Sequence, residues 1–290
     1  MRVLIVGCGY VGLALGAELA RQGHYVVGWR RSLTADAQLR AAGITPERAD
    51  LTRSETLPEP PAPYDWVVHC VSATGGGVEE YRQVYSHGTA NLLAWLAARP
   101  PRKLVYTSST SVYGQNDGSE VTETSPTEPE AETGRILVAT ERLALDAVRE
   151  GSLPVVVLRV AGIYGPGRGY WLKQFLAGET RIEGQGERFL NMIHRDDVTG
   201  AVLAALCNGR PGEIYNAVDD EPVSQIELFR WLASRFNREL PAVVAASPPT
   251  PRKRGATNKR VLNRKLKEEL AYLFKYPTFR EGFKTEIRGR

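Results

Sequence analysis

The chain is poor in residues that build covalent or metallic frameworks. It has three cysteines (Cys8, Cys70 and Cys207), two methionines and four histidines in 290 residues. Three distant cysteines with no C-x-x-C pair indicate neither a disulfide framework nor a zinc site. The histidines are scattered, so no metal centre is expected. No apolar run is long enough to cross a membrane, and no signal-like segment precedes the first strand; the expected location is the cytoplasm. Charge of one sign is also scarce, with a formal net charge of +4. Part of that excess lies near the C-terminus, at Arg252, Lys253, Arg254, Lys259, Arg260, Arg264, Lys265 and Lys267. Leu262, Leu266 and Leu270 interleave with it. This pattern predicts a helix with a solvated basic face, not a nucleic-acid contact.

What is present is a core. With 42% hydrophobic residues, the chain can fill one large domain or a large domain with a smaller lobe. Residues 3–6 form a short apolar run, as expected of a strand buried on both faces. The run ends in Gly7-Cys8-Gly9-Tyr10-Val11-Gly12. An apolar-rich helix follows, closed by Gly23-His24, and a second strand occupies 25–29. A G-x-G-x-x-G between strand and helix reads as a dinucleotide site. Gly7 permits the tight turn, Gly9 lets a pyrophosphate approach the backbone, and Gly12 lets helix and strand pack closely. The N–H groups at the helix start face the phosphates. Cys8 sits near that helix start, where a thiol pKa can fall, but reads as a small residue that fits the loop.

At the end of the second strand an NAD site usually carries an acidic residue that accepts from the ribose 2′-hydroxyl. Here the chain reads Arg30-Arg31-Ser32. Two guanidiniums and a hydroxyl suit a 2′-phosphate, so the expected cofactor is NADP in preference to NAD.

Further strands are expected at 45–49, 66–71, 103–107 and 154–160, alternating with helices at 35–42, 79–98 and 135–149. The alternation predicts an α/β fold, a Rossmann doubly wound parallel sheet. The proline-rich 58–63 is a stiff loop and the glycine triplet 75–77 a flexible one. The dinucleotide-binding domain is expected over 1–163 and a smaller α/β lobe over 164–290, with part of the latter returning to the sheet. That part holds strands at 189–193 and 213–218 and helices at 196–206 and 224–236. Ser224 with Glu227 predicts a capping box.

Six motifs occur in an order that resembles the extended short-chain dehydrogenases/reductases of the nucleotide-sugar epimerase/dehydratase type. They are the glycine loop, Asp50-Leu51, the run from Thr107 to Gly114, Arg159 with Gly162-Ile163-Tyr164-Gly165-Pro166, the run from Asn191 to Val198, and Tyr215-Asn216. Asn258-Lys259-Arg260 and Tyr276-Pro277 resemble an atypical subgroup. The resemblance implies that Asp50, beside Leu51, meets the adenine amine, and that Cys70, Val71, Ser72 and Ala73 line the cofactor. It places Thr107 and Ser108 on the nicotinamide side and Ser109 at the catalytic serine position. A small-molecule substrate, such as a nucleotide sugar, would meet Tyr113, Arg168, Asn191, His194 and Arg195. It also allows a homodimer through the helices at 79–98 and 135–149.

The chain departs from the family where proton transfer is done. A tyrosine four residues before a lysine serves there, the lysine lowering the phenol pKa. Aligning Glu141 puts Thr133 at the tyrosine position and Leu137 at the lysine position. A threonine hydroxyl is too weak an acid to replace that phenol, and leucine carries no charge. Two readings follow: an oxidoreductase that moves a hydride with proton help from elsewhere, or a catalytically silent cofactor-binding sensor, regulator or assembly factor. A non-redox enzyme ranks behind both.

Overall fold

The computed structural model describes residues 1–59, 62–75, 77–245 and 257–288. Pro60 and Pro61 of the proline loop, Gly76 of the glycine triplet, and Arg252, Lys253 and Arg254 of the basic tract lie outside the described residues.

Seven parallel strands form the main sheet: β1 (Arg2–Val6), β2 (Tyr25–Arg30), β3 (Ile44–Arg48), β4 (Trp66–His69), β5 (Lys103–Ser109), β6 (Val155–Val160) and β7 (Ile214–Ala217). Their spatial order is β3-β2-β1-β4-β5-β6-β7. The doubly wound sheet expected from the sequence is present. Strand order reverses between β1 and β4, which opens a crevice at their carboxyl ends.

The packing of β1 explains its unbroken apolar run. Val3 and Ile5 meet Leu15 and Leu19 of helix α1 (Tyr10–Arg21) on one face. Leu4 and Val6 meet Trp29, Leu92 and Leu96 on the other. These four strand residues are at most 1% exposed; each such burial contributes about 1.5–3 kcal/mol. A separate cluster, including Tyr164, Phe175, Leu190, Phe229, Phe279 and Phe283, is the core of the smaller lobe.

Several boundaries differ from expectation. β4 ends at His69, so Cys70, Val71 and Ser72 belong to the loop at the sheet edge. β5 runs on to Ser109. The stretch 189–193 is two strands, not one. Phe189–Leu190 pairs antiparallel with Val223–Ser224, and Met192–His194 pairs parallel with Gly162–Tyr164. Ser224 forms the expected capping box with Glu227. The helical segments Val78–Tyr81, Arg82–His87 and Gly88–Ala97 follow one another, and the middle one is π-helical. Such turns gather at functional sites, and this one brings Val84 and Tyr85 to the wall of the main cavity.

Candidate functional site

At the crevice a cavity of ≈ 390 Å³ runs from the glycine loop to Ser109. Gly7 has φ +89°, and a Cβ there would lie 2.7 Å from the Val71 backbone. Gly9 is approached only by a loop carbonyl at 3.9 Å, so its backbone is open. A Cβ at Gly12 would come 2.8 Å from the Gly7 carbonyl and 2.9 Å from the Ile5 side chain, which makes Gly12 the helix–strand packing residue. Gly28 in β2, which the sequence does not single out, leaves room for the Cys8 sulfur. Burial pushes the Cys8 thiol up to about 12 against the opposing pull of Arg30, so the nearby helix start does not activate it. Burial also raises Cys70, whose thiol donates to the Gly7 carbonyl at 3.3 Å.

Tyr10 opens α1. Its hydroxyl donates to the Pro166 carbonyl at 3.1 Å, and the guanidiniums of Arg168 and Arg195 lie 5.1 and 5.3 Å from its ring centre. Arg168 therefore lines the main cavity with the glycine loop. Arg195 lies outside that cavity and pairs with Asp196 at 2.9 Å.

The far rim holds Arg30, Arg31, Ser32, Asp50 and Leu51. Asp50 Oδ1 accepts from the Thr52 N–H and hydroxyl at 3.0 and 2.8 Å. Val11, Cys70, Val71, Ser72, Thr107 and Ser108 also line the cavity, whereas Gly12 and Ala73 do not. Leu137, Ala161, Ile163 and Val198 join it from later in the chain. Ala161 and Ile163 arrive because Val160 lies in register with Ser109 across β5 and β6. The open backbone at Gly9, the left-handed turn at Gly7 and the start of a twelve-residue helix fit a pyrophosphate. The stretch from Asp50 past the glycine loop to Ser109 fits an extended dinucleotide.

Ser109 caps a single turn, Thr110–Val112. Its Oγ accepts from the Ser111 N–H and donates to the Ser111 hydroxyl, both at 3.1 Å. Across from it, helix α2 (Glu132–Arg149) carries Thr133 and Leu137, 6% and 4% exposed. Leu137 lines the cavity and Thr133 does not. Neither position supplies a phenol or an ammonium.

Behind Ser109 lies a buried polar network. The Ser108 hydroxyl donates to Glu141 at 2.5 Å, and Glu141 pairs with Arg159 at 2.8 Å. Arg159 donates to the Tyr113 hydroxyl at 2.8 Å, and that hydroxyl donates to Asn216 at 2.7 Å. The Tyr113 phenol is thus turned into the core, and burial raises its pKa.

Beyond the Ser109 turn is a second cavity of ≈ 210 Å³, lined by Thr110, Ser111, Ile163, Trp171, Asn191 and Lys259 among others. The Asn191 amide donates to the Lys259 carbonyl at 2.9 Å and accepts from the Val261 N–H at 2.8 Å. Lys259 departs from the solvated basic face expected of it, being 3% exposed. Its ammonium donates to the Tyr113 carbonyl at 2.8 Å and to the Thr257 hydroxyl at 2.9 Å. Burial lowers its pKa to about 8. The expected helix begins later, as Arg264–Leu270, with Leu266 and Leu270 buried and Arg264 and Lys267 exposed. His194 is 1% exposed and lines neither cavity. It caps helix α3 (Arg195–Asn208), its Nδ1 accepting from the Asp196 N–H at 3.2 Å. Burial lowers its pKa to about 4, so the ring is neutral at neutral pH.

The model of the NAD dependent epimerase/dehydratase family matches residues 3–217. The chain is 34% identical over 226 residues to protein YeeZ of Escherichia coli strain K12, covering 74% of this chain and 76% of YeeZ. A functionally unknown conserved protein from Silicibacter pomeroyi DSS has a similar structure, with TM-score 0.83 and 30% identity over 99% of this chain and 98% of that one. MoeE5 in complex with UDP-glucose and NAD matches with TM-score 0.81 and 25% identity, over 99% and 98% of the two chains. Dehydratase and epimerase structures at 19–23% identity, which share the fold, also hold NAD.

These complexes overturn the expectation of NADP in preference to NAD. The rim offers a physical reason. Ser32, the third member of the expected phosphate set, lies within hydrogen-bond distance of the Thr34 hydroxyl at 2.9 Å and accepts from the Thr34 N–H at 3.2 Å. Its oxygen is engaged inside its own turn. Arg31 is exposed, and a solvated guanidinium donates to a ribose hydroxyl as it does to a phosphate. An arginine pair alone does not select the phosphorylated cofactor. On the family model and the identity to YeeZ, the chain belongs to the NAD dependent epimerase/dehydratase family.

Proposed function

We propose that this chain binds NAD in the main cavity and exchanges a hydride with a small molecule of the nucleotide-sugar class admitted through the second cavity. The observation that carries this reading is the continuity of the main cavity from Asp50 past the Gly7–Gly9 loop to Ser109. MoeE5, a relative at 25% identity, holds both UDP-glucose and NAD. When bound, NAD supplies hydride exchange at its nicotinamide ring. The glycine loop and the start of α1 hold the pyrophosphate, with Arg168 beside them. Leu137 and Ile163 give the Ser109 end apolar walls that exclude water. Ser109 presents a hydroxyl that can turn from Ser111 toward a substrate oxygen. Loss of a general acid costs about 10²–10⁴-fold, so slow turnover is the expected signature.

The test is incubation of the protein with NAD and UDP-glucose or UDP-glucuronate, following nicotinamide fluorescence in a single turnover. Appearance of reduced nicotinamide that is lost in Ser109→Ala supports the reading. Leu137 and Thr133 favour a second reading, a silent NAD-binding sensor, regulator or assembly factor. That reading gains if NAD binds and no substrate of this class reduces it.

A further inference from the structure

Lys259 is a buried cation with no counter-charge among the described residues. The other deeply buried cation described above, Arg159, pairs with Glu141 at 2.8 Å. Lys265 and Lys267, on the next helix, pair with Glu213 and Asp220 at 2.6 and 3.0 Å. Among the described residues no carboxylate pairs with Lys259. Its two acceptors are a carbonyl and a hydroxyl, both neutral. An ammonium has three N–H donors, so one has no acceptor among the described residues.

The surrounding chain is built to hold this residue in place. Asn191 binds the backbone on both sides of it, at Lys259 O and Val261 N. Asn258 accepts from Phe189 N at 2.9 Å through its side chain and from Gly118 N at 2.9 Å through its carbonyl. The strand Arg260–Val261 pairs with Glu120–Val121. Two separate segments, 118–121 and 189–191, thus fix the lysine at the wall of the second cavity. Burying an uncompensated charge is unfavourable unless something pairs with it.

Its position links it to the proposed chemistry. The ammonium binds the carbonyl of Tyr113, the residue that closes the turn Thr110–Val112. Ser109 opens that same turn. The cation and the Ser109 hydroxyl therefore stand at opposite ends of one turn, and Ile163 is shared by both cavities.

We propose that the second cavity is an anion subsite, in which the Lys259 ammonium holds a carboxylate oxygen of the small-molecule substrate beside Thr110 and Ser111. This rests on the reading that a small molecule enters there, and it narrows the substrate to one that carries a carboxylate. Burial lowers the ammonium pKa only to about 8, so it remains charged at neutral pH.

The test has two arms. In the first, NAD-saturated wild type, Lys259→Met and Lys259→Arg are unfolded thermally in sodium phosphate or sodium acetate, at ionic strength matched with chloride. Acetate raises the wild-type Tm by about 2 °C or more over chloride at saturation. Lys259→Met loses that increment and Lys259→Arg keeps part of it. An increment with phosphate and none with acetate overturns the carboxylate assignment. No increment in wild type, or the same increment in Lys259→Met, overturns the proposal. In the second arm, UDP-glucuronate binds wild type at least about tenfold tighter than UDP-glucose, and Lys259→Met brings the two to parity. A ratio unchanged by Lys259→Met overturns it. If neither nucleotide sugar binds, the proposed function fails while the salt arm still decides on Lys259. Circular dichroism and NAD affinity check the fold of each variant. If Lys259→Met does not fold, Lys259→Gln takes its place, with an unaltered anion increment overturning the proposal.

Discussion

The two cavities on either side of the Ser109 turn are built on opposite principles. The main one is made largely by leaving groups out. Gly9 leaves its backbone open, Gly28 makes room for Cys8, and Leu137 stands where the family has a charge. The second holds a buried ammonium, Lys259, that no carboxylate among the described residues pairs with, and Arg188 lines the same cavity. The difference teaches that absence of the tyrosine and lysine on α2 does not leave the site without a cation. A cation, Lys259, is present on the other side of the turn, just before the strand Arg260–Val261.

The wall between the cavities gives the largest expected effect. Glu141→Ala leaves Arg159 buried without its partner and is expected to cost about 3–5 kcal/mol in chemical denaturation. A loss below about 1 kcal/mol would mean that this network does not hold the wall.

Lys259 sharpens the contrast through pH. Its folded pKa, about 8, lies below the unfolded value of 10.5. Below pH 8 the lysine is protonated in both states, and the full penalty of burying the charge is present. As pH rises from about 8 to 10.5, the folded state sheds the proton first and the penalty is relieved. Wild type should therefore gain about 3 kcal/mol relative to Lys259→Met across that window. A pH-independent difference between the two proteins would contradict the burial.

Next come the glycines of the main cavity. Gly9→Ala should fold normally, since its Cβ enters open space, yet weaken NAD binding by about tenfold or more. Gly12→Ala should instead lower stability by about 1–3 kcal/mol, because its Cβ meets Gly7 O and Ile5. Equal stability losses in both variants would erase the distinction between a ligand-facing and a packing glycine. The smallest effect concerns the thiols. In folded protein near pH 8, iodoacetamide should label the exposed Cys207 and spare Cys8 and Cys70, as read by mass spectrometry.

The sheet and the glycine loop were legible because their signals are local. A strand, a G-x-G-x-x-G and a helix lie within about twenty residues, and the tasks of Gly7 and Gly12 follow from spacing alone. The loss at Thr133 and Leu137 was legible for the same reason. What escaped depends on distant pairing. Lys259 reads as one of a run of basic residues, and such runs are usually solvated. It is buried because Arg260–Val261 pairs with a strand some 140 residues earlier. Asn191 sits at the second cavity, but its amide serves the backbone of Lys259 and Val261. His194 has the residue type of an acid–base group, yet its role as a helix cap is set by the strand Gly162–Tyr164 beside it. The NADP preference failed on a different count: Arg30-Arg31 declares positive charge, not the fixed geometry that would select a phosphate.

The most direct test of the central claim is a fluorescence titration of the folded protein with NADH and NADPH, using Gly9→Ala as control. The account predicts saturable NADH binding, weakened by Gly9→Ala, with NADPH bound no more tightly. Failure to bind NADH, or NADPH binding tenfold tighter, would contradict it.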